Sequence, residues 1–183
     1  MQYAQLSLHL IGLPGSGKST VGRQLARRLG IPFIDSDHVI EQRIGCSIRG
    51  FFDREGEVAF RDIEEQVIHE LTAGNGAEQA PAQVLATGGG AVLRAPNRDR
   101  LKGHGKVVYL DASPEDIVRH LRHDTSRPLL QGADPLGRLK ELHRQRDALY
   151  RETAHYVVPT GRGKTVAALV NHIAMQLELA AAD

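Results

Sequence analysis

The chain has 183 residues, enough for one domain with a substantial core and too few for two ordinary ones. Its 23 Lys plus Arg against 22 Asp plus Glu give a formal charge of +1, so no overall basic field gathers nucleic acid or coats a membrane. Recognition of any phosphate must therefore be local, and the one cysteine, Cys46, excludes an intramolecular disulfide or a cysteine-pair zinc site.

The stretch MQYAQLSLHLIG carries no basic leader or cleavage pattern, and no run of about 18 apolar residues occurs, so a soluble, cytoplasmic protein is expected. Apolar runs then alternate with helical patterns, the mark of an α/β domain with a parallel sheet. LSLHLIG reads as the first strand. Val21, Leu25 and Leu29 recur four apart, with Arg23, Arg27 and Arg28 off that stripe and Gly30 as the stop, which predicts a one-sided helix. PFID (32–35) reads as a second strand. Helical patterns follow over about 37–54 and 57–72, the second carrying Val58, Ile63, Val67 and Leu71.

A loop over 74–83 leads to the strand VLAT (84–87), and KVVYL (106–110) is another strand. SPED (113–116) opens a helix, with Ser113 as cap, Pro114 in the first turn and Asp116 in the capping-box position. The Gly- and Pro-punctuated segment DTSRPLLQGADP (124–135) precedes a charged helix of about 136–152. YVV (156–158) is the fifth strand candidate. The chain closes with an amphipathic helix bearing Val166, Leu169, Val170, Ile173 and Leu177.

GLPGSGKST (12–20) matches the spacing GxxxxGK(S/T) through Gly12, Gly17, Lys18 and Ser19. A strand before it and a helix after it are what the motif needs, because loop N–H groups and the helix N-terminus together cradle an anion. The backbone of Gly15, Ser16, Gly17, Lys18, Ser19 and Thr20 is thus expected to hold ATP. Lys18 would reach the β- and γ-phosphates, and the Ser19 hydroxyl would bind Mg2+.

Ligands of a parallel sheet collect at the carboxyl ends of its strands. After the second strand stand Asp35 and Asp37, two apart, which project to one side if the chain stays extended; a solvated acidic cap of the next helix explains them equally well. Gly88, Gly89 and Gly90 follow the third strand and either admit a ligand to the backbone or make a tight turn. Arg61, Arg127 and Arg146 each have an ordinary explanation. Arg61 can pair with Glu64 or Glu65 one turn on, Arg127 can be a charge in an exposed loop, and Arg146 can be a solvated helix position.

Taken together and in order, GLPGSGKST, DSD, FRDIEE (60–65), GGGAV (88–92), RPLL (127–130) and QRDALY (145–150) resemble the shikimate kinases over nearly the whole length. The resemblance implies the P-loop kinase fold of nucleoside-monophosphate-kinase type, three α/β/α layers about a central five-stranded parallel sheet. It also implies one domain over 1–183 with a mobile lid at about 124–135. The implied reaction is ATP-dependent phosphorylation of the 3-hydroxyl of shikimate, a step of aromatic amino acid biosynthesis, by a cytoplasmic monomer that needs Mg2+ and binds neither nucleic acid nor membrane.

Position by position, Arg61 and Arg146 match the arginines that grip the substrate carboxylate. Asp37 matches the aspartate at the acceptor hydroxyl, and Gly88, Gly89 and Gly90 match the loop under the substrate ring, with Gly89 the nearest contact. Arg127 matches the lid arginine that contacts ATP and the transferring phosphate, and Asp35 the acid that supports Mg2+, through water. Asp37, Lys18 and Arg127 form the implied catalytic set. Where some relatives place an arginine by adenine this chain has His120, so no adenine contact is assigned. TGRGK (160–164) lacks the phosphate-loop spacing and reads as a turn, His120 and His123 lack a third metal ligand, and Cys46 reads as a packing residue. The alternatives are a related P-loop kinase of gluconate type and a nucleotide-sensing module; the scarcity of aromatic residues disfavours a nucleic-acid track.

Overall fold

A strand buried at every position, as β1 (Ser7–Ile11) is, uses its alternation to separate two cores rather than core from solvent. Leu8 and Leu10 join one apolar cluster, while Ile11 joins the other. The computed structural model describes residues 6–73, 82–122, 133–161 and 163–182. Around β1 the five strands run in the order β2-β3-β1-β4-β5, with β2 (Phe33–Asp35), β3 (Gln83–Ala86), β4 (Lys106–Asp111) and β5 (Tyr156–Pro159). All pairs are parallel, and the register sets Leu10 beside Ala86 and Val108.

One face is covered by α1 (Lys18–Leu29) and α7 (Val166–Ala182), through Val21, Leu25, Leu169 and Ile173 among others. The other face carries α3 (Ile48–Ala73), α4 (Ala95–Gly103), α5 (Pro114–Leu121) and α6 (Pro135–Thr153), which contribute Ile68, Leu101, Ile117 and Tyr150. These are the expected three layers. A third cluster, built on Ile40, Phe60 and Val67, joins α2 (Ser36–Ile44) to α3. The Ser113 cap is present, its hydroxyl accepting from Asp116 N at 3.1 Å.

Three local expectations change. The helix anticipated over 37–54 stops at Ile44, because Gly45 takes a left-handed cap at φ 69° and returns its N–H to Glu41 O. The side chain of Glu41 then accepts from Ile48 N at 3.0 Å and starts the next helix. The break anticipated near residue 56 is a kink at Gly56 (φ 83°) inside α3, and Val58 just after it is 73% exposed rather than on the apolar stripe. Finally, α4 has no counterpart in the hydrophobic pattern, since it buries only Asn97 and Leu101. The segment 124–132, with Arg127, and His123 lie outside the described residues.

His9 is fully buried on β1, with Nε2 3.0 Å from Ser7 Oγ and Nδ1 2.9 Å from the Leu101 carbonyl. A carbonyl only accepts, so Nδ1 carries the proton and Nε2 accepts from Ser7. Burial pushes this imidazole down to about 4, and the nearby His104 and His155 push the same way against the hydrogen bond to Leu101.

Candidate active site

β1 ends at the carboxyl edge of the sheet and hands the chain to the glycine loop. Gly12, Gly15 and Gly17 have φ of 147°, 79° and 95°, a region open mainly to glycine, so the loop can turn its N–H groups inward. Gly15 has a second constraint. A Cβ there would lie 2.6 Å from Leu121 and 2.9 Å from Ile117 of α5. Gly17, having no side chain, makes no side-chain cap at the start of α1, so the helix N-terminus opens directly onto the glycine loop.

Lys18, only 8% exposed, lies over the loop and donates to the Gly12 and Leu13 carbonyls, both at 2.8 Å. Ser19 Oγ donates to Asp35 Oδ2 at 2.7 Å, which ties the first turn of α1 to the end of β2. Thr20 sits exposed in that same turn. A hydroxyl beside a carboxylate is a hard-oxygen donor set of the kind Mg2+ takes, usually with waters retained, so the residues present fit the ion.

Asp35 and Asp37 do not share one side of an extended strand, because β2 ends at Asp35 and Asp37 already lies in α2. Asp35 caps α2, its Oδ1 accepting from Asp37 N at 3.0 Å, so the capping role and the link to Ser19 belong to one carboxylate. Asp37 in the first turn of α2 faces the loop after β3, where a Cβ on Gly88 would lie 2.7 Å from its Oδ1. Burial foremost, and then the charges of Asp35 and Glu64, push the Asp37 carboxyl up to about 6 against the pull of Lys18.

The glycine triplet is a spatial requirement rather than a conformational one. None of Gly88, Gly89 and Gly90 adopts a left-handed backbone. Instead a Cβ on Gly89 would lie 2.7 Å from Pro14 of the phosphate loop, and one on Gly90 would overlap the Arg61 guanidinium. The loop is therefore wedged between the phosphate loop, α2 and α3.

Arg61 does pair one turn on, with Glu64 at 2.7 Å, but Glu64 is 1% exposed, so this is a buried pair and not a solvated face. Glu65 pairs with Arg94 instead. Burial raises the Glu64 carboxyl while Arg61 opposes that rise, and Arg146 adds a further favourable charge. Arg61 also donates to Glu57 at 3.3 Å and lies 5.2 Å from the centroid of the Phe60 ring. Arg146 is 9% exposed rather than solvated, and its Nε is buried with no hydrogen-bond partner among the described residues. Glu64 was legible in the sequence only as a surface partner, and Tyr150, whose hydroxyl donates to Gly89 O at 2.5 Å, only as a motif letter.

Asp37, Arg61 and Gly88 to Gly90 thus converge beside the phosphate loop, and Arg146 acts electrostatically on Glu64 and Tyr150 in the same neighbourhood. Elsewhere, one ligand atom each of Asp111, His143 and Asp147 lie within 4.8 Å of one another. Arg151 bridges both carboxylates of that group, at 2.8 and 2.9 Å, so its negative charge is already largely paired. His120 gives its Nδ1 to Asp116 O at 2.7 Å, and no described helix is long and apolar enough to cross a membrane.

Comparison with known proteins identifies the family. The family model for shikimate kinase matches residues 14–178. The chain is 72% identical over 180 residues to a shikimate kinase of Paracidovorax citrulli, covering 98% of this chain and 96% of that one. It is 54% identical over 174 residues to one of Ralstonia nicotianae, covering 95% and 88%. A shikimate kinase from Acinetobacter baumannii, solved in complex with shikimate, superimposes with a TM-score of 0.85 at 44% identity, covering 97% of this chain and 96% of that chain. With the family model matched over most of its length and relatives of high identity covered almost end to end, the chain belongs to the shikimate kinase family.

Proposed function

We propose that this chain transfers the γ-phosphoryl group of ATP to the 3-hydroxyl of shikimate, giving shikimate 3-phosphate and ADP. The observation that carries this reading is the partnerless Nε of Arg146, buried in electrostatic reach of the Arg61–Glu64 pair beside a glycine loop that abuts the phosphate loop. Two guanidinium forks suit a planar carboxylate, and a floor without side chains suits a flat ring.

In the proposed reaction the acceptor oxygen bonds to the γ-phosphorus as the bond from that phosphorus to the bridging oxygen breaks. Asp37 accepts the hydrogen bond of the acceptor hydroxyl and receives or orients its proton; because the transition state is loose, orientation is the larger part. Lys18 exchanges the Gly12 and Leu13 carbonyls for the phosphates, and the N–H groups of residues 15–20 hold them. The Ser19 hydroxyl, with Asp35 beside it, would hold Mg2+, which would supply positive charge to the phosphate oxygens. Arg127, in the lid reading of residues 124–135, adds positive charge at the transferring group, and exclusion of water there limits hydrolysis. The enzyme works as a cytoplasmic monomer.

The test is ADP release from MgATP with shikimate, with gluconate and with no acceptor. Release that depends on shikimate alone is the expected result. A gluconate-dependent rate would favour the related sugar-acid kinase, and release indifferent to any acceptor would favour a sensing module; both overturn the reading.

A further inference from the structure

The three glycines that face the acceptor have no side chains to hold them, so their orientation is set from outside. Gly88 O accepts from Ala91 N and Gly90 O from Leu93 N, both at 3.1 Å, as the chain turns into the 3-10 segment Ala91–Leu93. The carbonyl left between them, Gly89 O, takes its hydrogen bond from the Tyr150 hydroxyl of α6 at 2.5 Å. In a trans peptide the N–H of the next residue points opposite to that carbonyl, so fixing Gly89 O aims Gly90 N–H away from Tyr150. Among the described residues no group accepts from Gly89 N–H or Gly90 N–H.

Tyr150 also lies next to the second half of the acceptor site. It stands four residues after Arg146 on the same face of α6, and the Arg146 charge acts on its phenol, opposing the rise that burial causes. The ring has no freedom to follow a moving partner. It is fully buried and stacked on Tyr109 of β4, with ring centroids 4.9 Å apart at 30°. Tyr109 is in turn tied through its own hydroxyl to Asp147 at 2.9 Å. Burial pushes the Tyr150 phenol up to about 12, so at neutral pH it keeps the proton it donates.

We propose that Tyr150 is a positioning residue for the phosphoryl acceptor: its hydroxyl sets the Gly89 peptide while its helix carries Arg146 one turn away, so that the glycine N–H groups and the carboxylate-binding fork keep a fixed separation. This rests on the acceptor reading given above. It assigns Tyr150 to acceptor affinity and not to nucleotide affinity, because Tyr150 bonds the Gly89 carbonyl rather than the phosphate loop, whose own glycines set its geometry.

Tyr150→Phe keeps the ring and the stack and removes one oxygen. In the ADP-release assay the expected result is a shikimate KM raised about tenfold, an ATP KM within about twofold of wild type and a kcat lowered less than about threefold, as befits one lost hydrogen-bonding group. Tyr109→Phe is the control, since it removes a hydroxyl at the other end of the stack without touching Gly89 or Arg146; its shikimate KM stays at the wild-type value. An unchanged shikimate KM in Tyr150→Phe overturns the proposal, as does an equal rise in both substrates' KM or the same shikimate effect in Tyr109→Phe, each of which marks a packing role only. Wild-type ADP release that ignores shikimate would instead overturn the acceptor reading, so the two failures are distinct.

Discussion

Gly90 and Arg61 compete for one volume: the Arg61 guanidinium occupies the space where a Cβ at position 90 would stand. Because Glu64 at 2.7 Å and the Phe60 ring at 5.2 Å hold that guanidinium in place, the side chain has little room to retreat. Gly90→Ala is therefore expected to displace the fork and raise the shikimate KM by about tenfold or more while the ATP KM stays within about twofold. Steady-state kinetics with each substrate varied in turn decides it, and an unaltered shikimate KM would show that Arg61 does not read the acceptor.

Glu64 is the buried partner that keeps Arg61 aimed. Replacing it with Gln removes the negative charge and leaves a buried cation half-paired, which costs about 3 kcal/mol of folding stability by the usual penalty for breaking a buried pair. Urea unfolding monitors that loss. A loss below about 0.5 kcal/mol would place this pair among the weak exposed ones, contrary to its 1% exposure.

Asp37→Asn keeps the shape of the first turn of α2 and removes the carboxylate opposite Gly88. Turnover should fall by about two to three orders of magnitude, with ATP binding changed less than about threefold. Single-turnover rates beside equilibrium nucleotide titration separate the two. Turnover at the wild-type level would remove Asp37 from the mechanism.

His9 makes folding stability depend on pH. Its pKa is about 4 in the folded chain against 6.5 as a model value, so between those values the unfolded chain binds a proton that the folded chain refuses. The stabilisation is complete above pH 6.5 and is lost as pH falls toward 4, on the order of 3 kcal/mol in all. Asp37, raised to about 6, acts with the opposite sign over much of the same window, so the raw profile is flattened. The difference between wild type and His9→Gln in unfolding free energy across pH 7.5 to 4 isolates the His9 contribution. A difference that does not narrow toward acid pH would refute the assignment.

Local signals in the chain were sufficient wherever one residue type is required by its own neighbourhood. The phosphate loop is of this kind, since left-handed glycines at 12, 15 and 17 and the helix start at Lys18 are consequences of adjacent residues. So are the Ser113 cap and the Gly30 stop, and the alternation of apolar runs led to the parallel sheet for the same reason. The family motifs added which acceptor such a loop serves.

Pairings between distant segments were decided only by the tertiary structure. Gly88 to Gly90 read in sequence as either a close approach to a ligand or a tight turn, yet their backbone is ordinary, and it is Asp37, Pro14 and Arg61 that leave no room for a Cβ. The weakly patterned α4 could not be seen locally because it buries only two positions, and the stop at Gly45 was hidden inside a longer helical pattern. Whether Arg61, Glu64 and Arg146 are solvated charges or a buried receptor depends on desolvation, a property of packing that no spacing of charges along a chain records.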